Sequence, residues 1–149
     1  MDVRLFRRIL VALLGEFPRA EGVDLGVCLV ADAEMIRLNE QFARHAGATD
    51  VIAFDYAERT ALRVQSSSAL HGEIFICMDE ALRQARRFRT RWQSELVRYL
   101  VHGLLHLHGF DDRHAAQRRV LRREENRLLR RVAARFPLSR LERKTRLPA

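Results

Sequence analysis

The sequence predicts an α+β domain in which a small mixed sheet of three or four strands packs against about five helices. Its 149 residues are enough for one domain with a buried core. Hydrophobic residues make up 48% and charged residues 31%, a balance that is typical of folded globular proteins and excludes a disordered chain. The strand-like runs all begin before residue 79 and helical patterns dominate after it, which is the arrangement of α+β folds.

The first half of the chain alternates helix and strand signals. Apolar residues recur at helical spacing until Pro18 ends the pattern, which predicts the first helix. Compact apolar runs bounded by glycine, serine or aspartate predict strands. The predicted elements are a helix over 3–17, a strand over 25–31, a helix over 32–44 with Asp32 as its cap, a strand over 50–56 and a strand over 72–78.

The second half predicts three helices, over 79–89, 91–108 and 113–136. The middle one has a broad apolar face that belongs in the core, and Gly109 ends it in the left-handed conformation that glycine favours. Pro137 ends the last helix. We therefore predict a single domain over 1–137 and a basic, flexible tail over 138–149. The last helix is expected to bury Val120, Leu121, Leu128 and Val132.

Charge is divided unevenly along the chain, whose net charge is +8. Up to Leu82 there are 8 basic and 13 acidic residues, and after it there are 19 basic and 6 acidic residues. A basic half of this size suits a phosphate-rich partner such as RNA, with Arg118 and Arg122 on the last helix as candidate contacts. The alternative is an arginine-biased composition on solvated helix faces.

The apolar runs are far shorter than the roughly 18 residues that a membrane span needs, so we expect no membrane segment. A short apolar run near the amino terminus is not followed by a small-residue cleavage site, which argues against a secretory signal. Cys28 and Cys77 each lie in an apolar run and are expected to be buried thiols. These features predict a reduced, cytoplasmic protein.

Metal-ligand spacing occurs in the segment His102-Gly-Leu-Leu-His-Leu-His-Gly-Phe-Asp-Asp112. His102 and His106 are four residues apart on a predicted helix, so both rings project from one face and can bind one divalent ion. The turn at Gly109 lets Asp112 supply a third ligand, with His114 as the reserve candidate. Two imidazoles and one carboxylate with an open fourth position form a catalytic zinc arrangement. The alternative is a pair of packed or solvated helix histidines.

The same segment resembles the HGxLHLxGxDH motif of the YbeY family of single-domain bacterial metal-dependent endoribonucleases. Two more segments agree in order and spacing. Thr49-Asp-Val-Ile-Ala-Phe54 is similar to the TDVLSF strand of that family, and His71-Gly-Glu-Ile-Phe-Ile76 is similar to its LGDIxI strand. The pattern of leucine, asparagine and an aromatic residue on the preceding helix also matches. The resemblance covers roughly residues 25–129.

The resemblance implies an α+β fold with one zinc ion per chain and a single-strand-specific endoribonuclease activity that hydrolyses RNA phosphodiester bonds. It also implies ribosomal RNA of the small subunit as the partner, in maturation of its 3′ end and in ribosome quality control. The arginine that the family carries after the helix aromatic aligns here on Ala43. Arg44 or His45 could therefore serve as the catalytic cation, or both could be ordinary surface residues at a helix end.

Three further departures from the family pattern affect the expected site and fold. Asp112 replaces the third histidine ligand of the family, and an aspartate oxygen is a competent zinc ligand. The last helix is rich in arginine where the family is commonly acidic. The amino-terminal strand that is usual in the family is hard to find, so the sheet is expected to have lost or shortened an edge.

Two other functions compete with RNA hydrolysis. A non-enzymatic, ribosome-associated RNA-binding factor with a structural metal would gain support if His114 closed the site as a fourth ligand. A zinc peptidase is disfavoured, because such enzymes place a glutamate directly after the first histidine, where this chain has Gly103. His108 lies two residues after His106 and is expected to face another direction.

Overall fold

The computed structural model describes residues 1–18, 22–43, 49–56 and 70–142, and the α+β prediction is confirmed. None of the described helices is both long enough and apolar enough to cross a bilayer. A π-helical turn continues the second helix, and a short 3₁₀ helix follows the last one. The main elements are α1 (Val3–Leu14), β1 (Val23–Val30), α2 (Asp32–Leu38), β2 (Val51–Asp55), β3 (Leu70–Cys77), α3 (Met78–Phe88), α4 (Trp92–Leu107) and α5 (Ala115–Arg135).

The three strands form one mixed sheet in the order β1-β3-β2. β1 runs parallel to β3, with Val23 opposite Leu70 and Val30 opposite Cys77. β2 runs antiparallel along the other edge of β3. Within the described residues the sheet therefore has three strands, the lower of the two predicted numbers. The described chain before β1 forms α1.

Helix α4 lies at the centre of the core. It packs against β2, β3, α3 and α5, and its Leu96, Leu100 and Leu104 are fully buried. An ion pair of 3.3 Å between Arg98 of α4 and the buried Glu125 of α5 joins these two helices. The helix that carries the histidine pair is therefore fixed by packing along most of its length, which gives any site on it a rigid base.

Close packing of α4 on the sheet depends on Gly103. A Cβ atom built at this position would lie 2.7, 3.2 and 3.3 Å from three side-chain carbons of Ile74. Ile74 is fully buried in β3, where close packing of the core resists its displacement. The missing side chain thus lets α4 approach β3 at the residue next to His102.

Gly103→Ala is expected to lower the free energy of unfolding by about 1 to 2 kcal/mol, because the added methyl group overpacks the core more than the gain in helix propensity offsets. Denaturant titration followed by circular dichroism measures this change. Gly22→Ala is the control, since a Cβ atom there meets no atom within 4 Å. Equal stability of Gly103→Ala and the unmodified protein would contradict the close packing of α4 on β3.

The predicted capping role of Asp32 is wrong. Ala31 holds the capping position, and the backbone N–H of Asp32 donates to Oδ2 of Asp79 in α3 at 2.8 Å. The carboxylate of Asp32 accepts hydrogen bonds from Arg83 at 2.7 Å and from the thiol of Cys77 at 3.1 Å. The bonds from Arg83 and then Cys77 lower the pKa of Asp32 to about 2. The carboxylate therefore joins α2 to α3 and β3 instead of capping its own helix.

Two predictions for the end of the chain are also wrong. Val120 is 45% exposed although its neighbour Leu121 is buried, because successive helix residues point about 100° apart. Residues 138–142, which we assigned to a flexible tail, pack on the domain. Leu141 is fully buried, and its carbonyl accepts a hydrogen bond from the N–H of Asp2 at 2.8 Å. The rest of the predicted tail lies outside the described residues.

Candidate metal centre

Helix α4 presents two histidines on one face near its carboxyl end. His102 and His106 are one turn apart, and their Nε2 atoms are separated by 2.9 Å. The ring centroids are 4.6 Å apart, and both side chains are half-buried. The helical spacing in the sequence thus produces a convergent pair of imidazole nitrogens.

The chain reverses after α4 through a glycine-capped turn. Gly109 has a φ of +87°, the left-handed conformation that was predicted for it. Its N–H donates to the carbonyl of His106, and the N–H of Phe110 donates to the carbonyl of Leu105, both at 3.0 Å. These two bonds form a Schellman motif. The motif turns the chain back, so that the acidic doublet follows directly beside the histidines.

The two aspartates of the doublet have different partners. The carboxylate of Asp111 accepts the backbone N–H groups of Asp112 at 2.7 Å and Arg113 at 3.0 Å, and it forms an ion pair of 2.5 Å with the Arg113 guanidinium. These bonds, the Arg113 side chain first, hold the pKa of Asp111 well below its usual range. Oδ2 of Asp112 lies 3.8 Å from Nε2 of His106. Asp111 therefore fixes the turn, and Asp112 completes the cluster.

The donor atoms of His102, His106 and Asp112 all lie within 4.8 Å of one another. Two ligands of a tetrahedral zinc ion are about 3.3 Å apart, given metal–ligand distances of roughly 2.0–2.1 Å. The observed separations of 2.9 Å and 3.8 Å fall on either side of that value. Imidazole nitrogens with one carboxylate oxygen are also a donor set that suits zinc. The cluster therefore fits one divalent ion.

Electrostatics favour the ligating form of His106. Burial, followed by the neighbouring His102, lowers the pKa of His106, while Asp112 and Asp111 raise it by less. The net shift is downward from the ordinary value of 6.5, so the imidazole is neutral at pH 7. A neutral imidazole offers the lone pair that a metal ion requires.

The two other histidines of this segment lie outside the cluster. His108 stacks on Phe17 with ring centroids 3.8 Å apart, and its Nδ1 donates to the carbonyl of Leu104 at 2.7 Å. It faces away from the cluster, as predicted. His114 occupies the exposed capping position of α5 and does not belong to the group of converging donor atoms. Within the described part of the chain, His114, the reserve candidate, therefore does not join His102, His106 and Asp112.

The structure locates only some of the predicted cations. Arg44 and His45 lie outside the described residues. Arg118 of α5 lies beside the cluster, and its Nη1 donates to the backbone carbonyl of Asp112 at 3.1 Å. Arg122 lies one turn further along α5 and is exposed. The charge distribution along the sequence predicts both arginines as candidate RNA contacts. Only the folded turn shows that Arg118 also supports the segment that carries Asp112.

A second group of potential ligands is a structural network. Asp32, Cys77 and Asp79 also bring donor atoms within 4.8 Å of one another. Arg83 pairs with Asp32, and Asp79 accepts from the backbone N–H of Asp32. Cys77 is fully buried, and burial raises the pKa of its thiol to about 11. A protonated thiol beside a paired carboxylate is a poor metal donor, so these residues serve to hold α2 in place.

Gly103 also bears on the class of chemistry. It faces Ile74 in the sheet, while the neighbouring His102 projects toward the cluster. A glutamate at this position would clash with β3, so this packing leaves no room for the general base that zinc peptidases carry there.

Fold and site together define a small α+β protein with a cluster of two histidines on its central helix and one aspartate in the turn that follows.

Comparison with known proteins gives the family. A family model described as Endoribonuclease YbeY matches residues 2–133, and the chain belongs to this family. The Endoribonuclease YbeY of Parabacteroides distasonis is 32% identical over 106 residues, which cover 71% of this chain and 69% of that protein. The protein of the same name from Chlorobium phaeovibrioides is 31% identical over 133 residues, 89% of this chain and 83% of that protein.

A solved structure supports the fold. The solution structure of TM1509 from Thermotoga maritima matches with a TM-score of 0.57 over 97% of this chain and 88% of that chain. At 23% sequence identity, the likeness concerns the fold alone.

Proposed function

We propose that this protein is an endoribonuclease that hydrolyses phosphodiester bonds in single-stranded RNA and depends on one zinc ion held by His102, His106 and Asp112. The observation that carries this proposal is the convergence of these three donors within 4.8 Å, in a chain of the Endoribonuclease YbeY family. Three protein ligands leave a position for water or substrate, as in catalytic zinc sites.

A zinc ion bound here supplies a Lewis acid that polarises a phosphoryl oxygen and a water molecule. The chain's own residues determine where this happens. Packing of α4 fixes the two imidazoles, and the glycine-capped turn fixes Asp112. The side chain of Asp112 is 47% exposed, so the cluster is accessible to a polymer.

Substrate binding is assigned to cations around the cluster. Exposed arginines on α5, among them Arg118 and Arg122, hold phosphates of the RNA without reading its sequence. Arg44 or His45 neutralises the charge that develops on the phosphate during cleavage. Family membership and the resemblance further suggest the 3′ end of small-subunit ribosomal RNA as substrate and ribosome quality control in the cytoplasm as the setting.

Metal removal tests the proposal. The purified protein is expected to contain about one zinc ion per chain and to cleave single-stranded RNA, and dialysis against a chelator is expected to abolish both. Adding back zinc should restore cleavage, whereas adding magnesium, which prefers oxygen ligands, should not. Undiminished cleavage by protein shown by elemental analysis to be metal-free would contradict the proposal.

His114→Ala separates this function from that of an RNA-binding factor with a structural metal. Because His114 lies outside the cluster, zinc content and RNA cleavage are expected to stay within about twofold of the unmodified protein. Elemental analysis and a cleavage assay measure the two quantities. Loss of zinc together with a lower melting temperature would instead indicate a closed, four-ligand structural site.

A further inference from the structure

A second basic site lies in a groove between α1 and the end of α5. The groove has a volume of about 610 Å³. Four exposed arginines line it, and Val11 and Phe136 are among its apolar lining residues. We call it the arginine groove; its arginines are Arg4, Arg7, Arg8 and Arg135.

The guanidinium groups of the arginine groove are not neutralised by the described part of the chain. None of the four has a carboxylate within 4.0 Å among the described residues. Glu16, the acidic residue of the lining, pairs instead with Arg127 at 3.5 Å and Arg131 at 3.0 Å. The groove therefore presents a concentrated positive charge to its occupant.

Two of these cations are positioned by an aromatic ring. The guanidinium carbons of Arg8 and Arg135 lie 5.7 Å and 5.3 Å from the ring centroid of Phe136, which is itself buried. Contacts of this kind orient the guanidinium without removing its charge. Oriented guanidinium groups form paired hydrogen bonds with phosphate oxygens.

Helix α5 connects the arginine groove to the metal centre. It begins three residues after Asp112, is 21 residues long and ends at Arg135. At about 1.5 Å per residue, its length is about 30 Å. At the roughly 3.4 Å per nucleotide of one strand of duplex DNA, about nine nucleotides of a stacked strand would span this distance. Between the two ends, α5 exposes further arginines, among them Arg122, Arg123 and Arg130.

We propose that the arginine groove binds the phosphate backbone of an RNA strand at a distance from the bond that is cleaved. The class of ligand, RNA, rests on the proposed function. The location of the binding site rests on the unpaired charge of the groove and on the basic helix α5 that leads to the metal centre. RNA is favoured over an acidic protein segment because the same basic helix reaches both sites. The groove then acts as an anchor that favours long RNA over short RNA.

The test is the binding of a fluorescent single-stranded RNA of about 20 nucleotides, long enough to span both sites, to the full-length protein. We expect Arg4→Gln/Arg7→Gln/Arg8→Gln to raise the Kd about 10-fold or more and to reduce the slope of log K against log salt by about 2, since roughly 0.7 is lost for each phosphate contact to a single strand. Fluorescence anisotropy gives both quantities, with the RNA checked for integrity afterwards. Arg86→Gln/Arg87→Gln/Arg91→Gln, which removes the same charge from exposed positions elsewhere, should change the Kd less than about threefold.

A second pair of variants tests the place within α1. Val11 and Val3 are 62% and 66% exposed on the same helix, but only Val11 lines the groove. Val11→Glu is expected to weaken RNA binding by about 5-fold or more, and Val3→Glu by less than about twofold, because a carboxylate within the groove repels phosphate. Circular dichroism should show that each variant stays folded.

The outcomes separate this proposal from the proposed function. If the arginine variant binds RNA more weakly while the unmodified protein cleaves no RNA, the result supports RNA binding by the groove and contradicts the proposed nuclease activity. If the protein cleaves RNA and the arginine variant binds it normally, the nuclease stands and the groove does not bind RNA, which leaves an acidic protein segment as its ligand. If the arginine variant and its charge-matched control lost RNA affinity equally, net charge alone would explain binding, and the groove would not be a specific RNA site.

Discussion

His106→Ala is expected to remove the bound zinc and with it the cleavage of RNA. Nε2 of His106 lies 2.9 Å from Nε2 of His102 and 3.8 Å from Oδ2 of Asp112. Removing His106 therefore leaves only two of the three ligands, without the one that lies close to both. Loss even of residues that only support ligands weakens metal binding by about 10- to 100-fold, and loss of a ligand should exceed that range. Cleavage should fall at least in proportion.

Elemental analysis after gel filtration, together with a cleavage assay, measures both effects. His108→Ala is the matched control. It also removes an imidazole ring, two residues after His106, but that ring stacks on Phe17 and lies outside the cluster. It should keep about one zinc ion per chain. If His106→Ala retained its zinc, the cluster could not be the metal site.

Asp112→Asn is the second change with a large expected effect. It removes the carboxylate charge from the cluster while keeping the size of the side chain, and we expect zinc affinity to fall by about 100-fold or more. Asp111→Asn is the control at the adjacent residue. An asparagine oxygen can still accept the two backbone N–H groups of the turn, so this variant should bind zinc within about threefold of the unmodified protein.

Competition with a zinc chelator of known affinity measures both constants. Asp112→His, which introduces the residue usual in the family, should bind zinc and so distinguish loss of a ligand from damage to the turn. Equal losses from the two asparagine variants would show that the doublet acts through turn structure and not through ligation.

The local features were predictable because they depend on residues near each other in the sequence. Four-residue spacing gave the histidine pair, and one glycine gave the turn that returns Asp112. The ligand role of Asp112 was predicted, but the role of Asp111 was not, because the spacing does not show which backbone N–H groups and which guanidinium its carboxylate meets in the folded turn. The network of Asp32 with Arg83 joins residues 51 positions apart, and no local pattern predicts such a pair.

The arginine groove could not be predicted for the same reason. Arginines at helical spacing on α1 are common on solvated helix faces, and only the packing of α1 beside the end of α5 brings Arg135 to them. The error at residues 138–142 is related. The short segment after Pro137 has no strong helix signal, but Leu141 finds a buried position against the start of the chain.

The buried Cys77 gives the protein an internal reporter of unfolding. Only thiolates react readily with alkylating reagents, and this thiol is both inaccessible and protonated in the native state. Its labelling must therefore wait for β3 and α3 to separate from α2, so the labelling rate follows the opening of that part of the fold. Mass spectrometry of proteolytic peptides, which separates the label on Cys77 from that on the half-buried Cys28, would follow these opening events without any engineered probe.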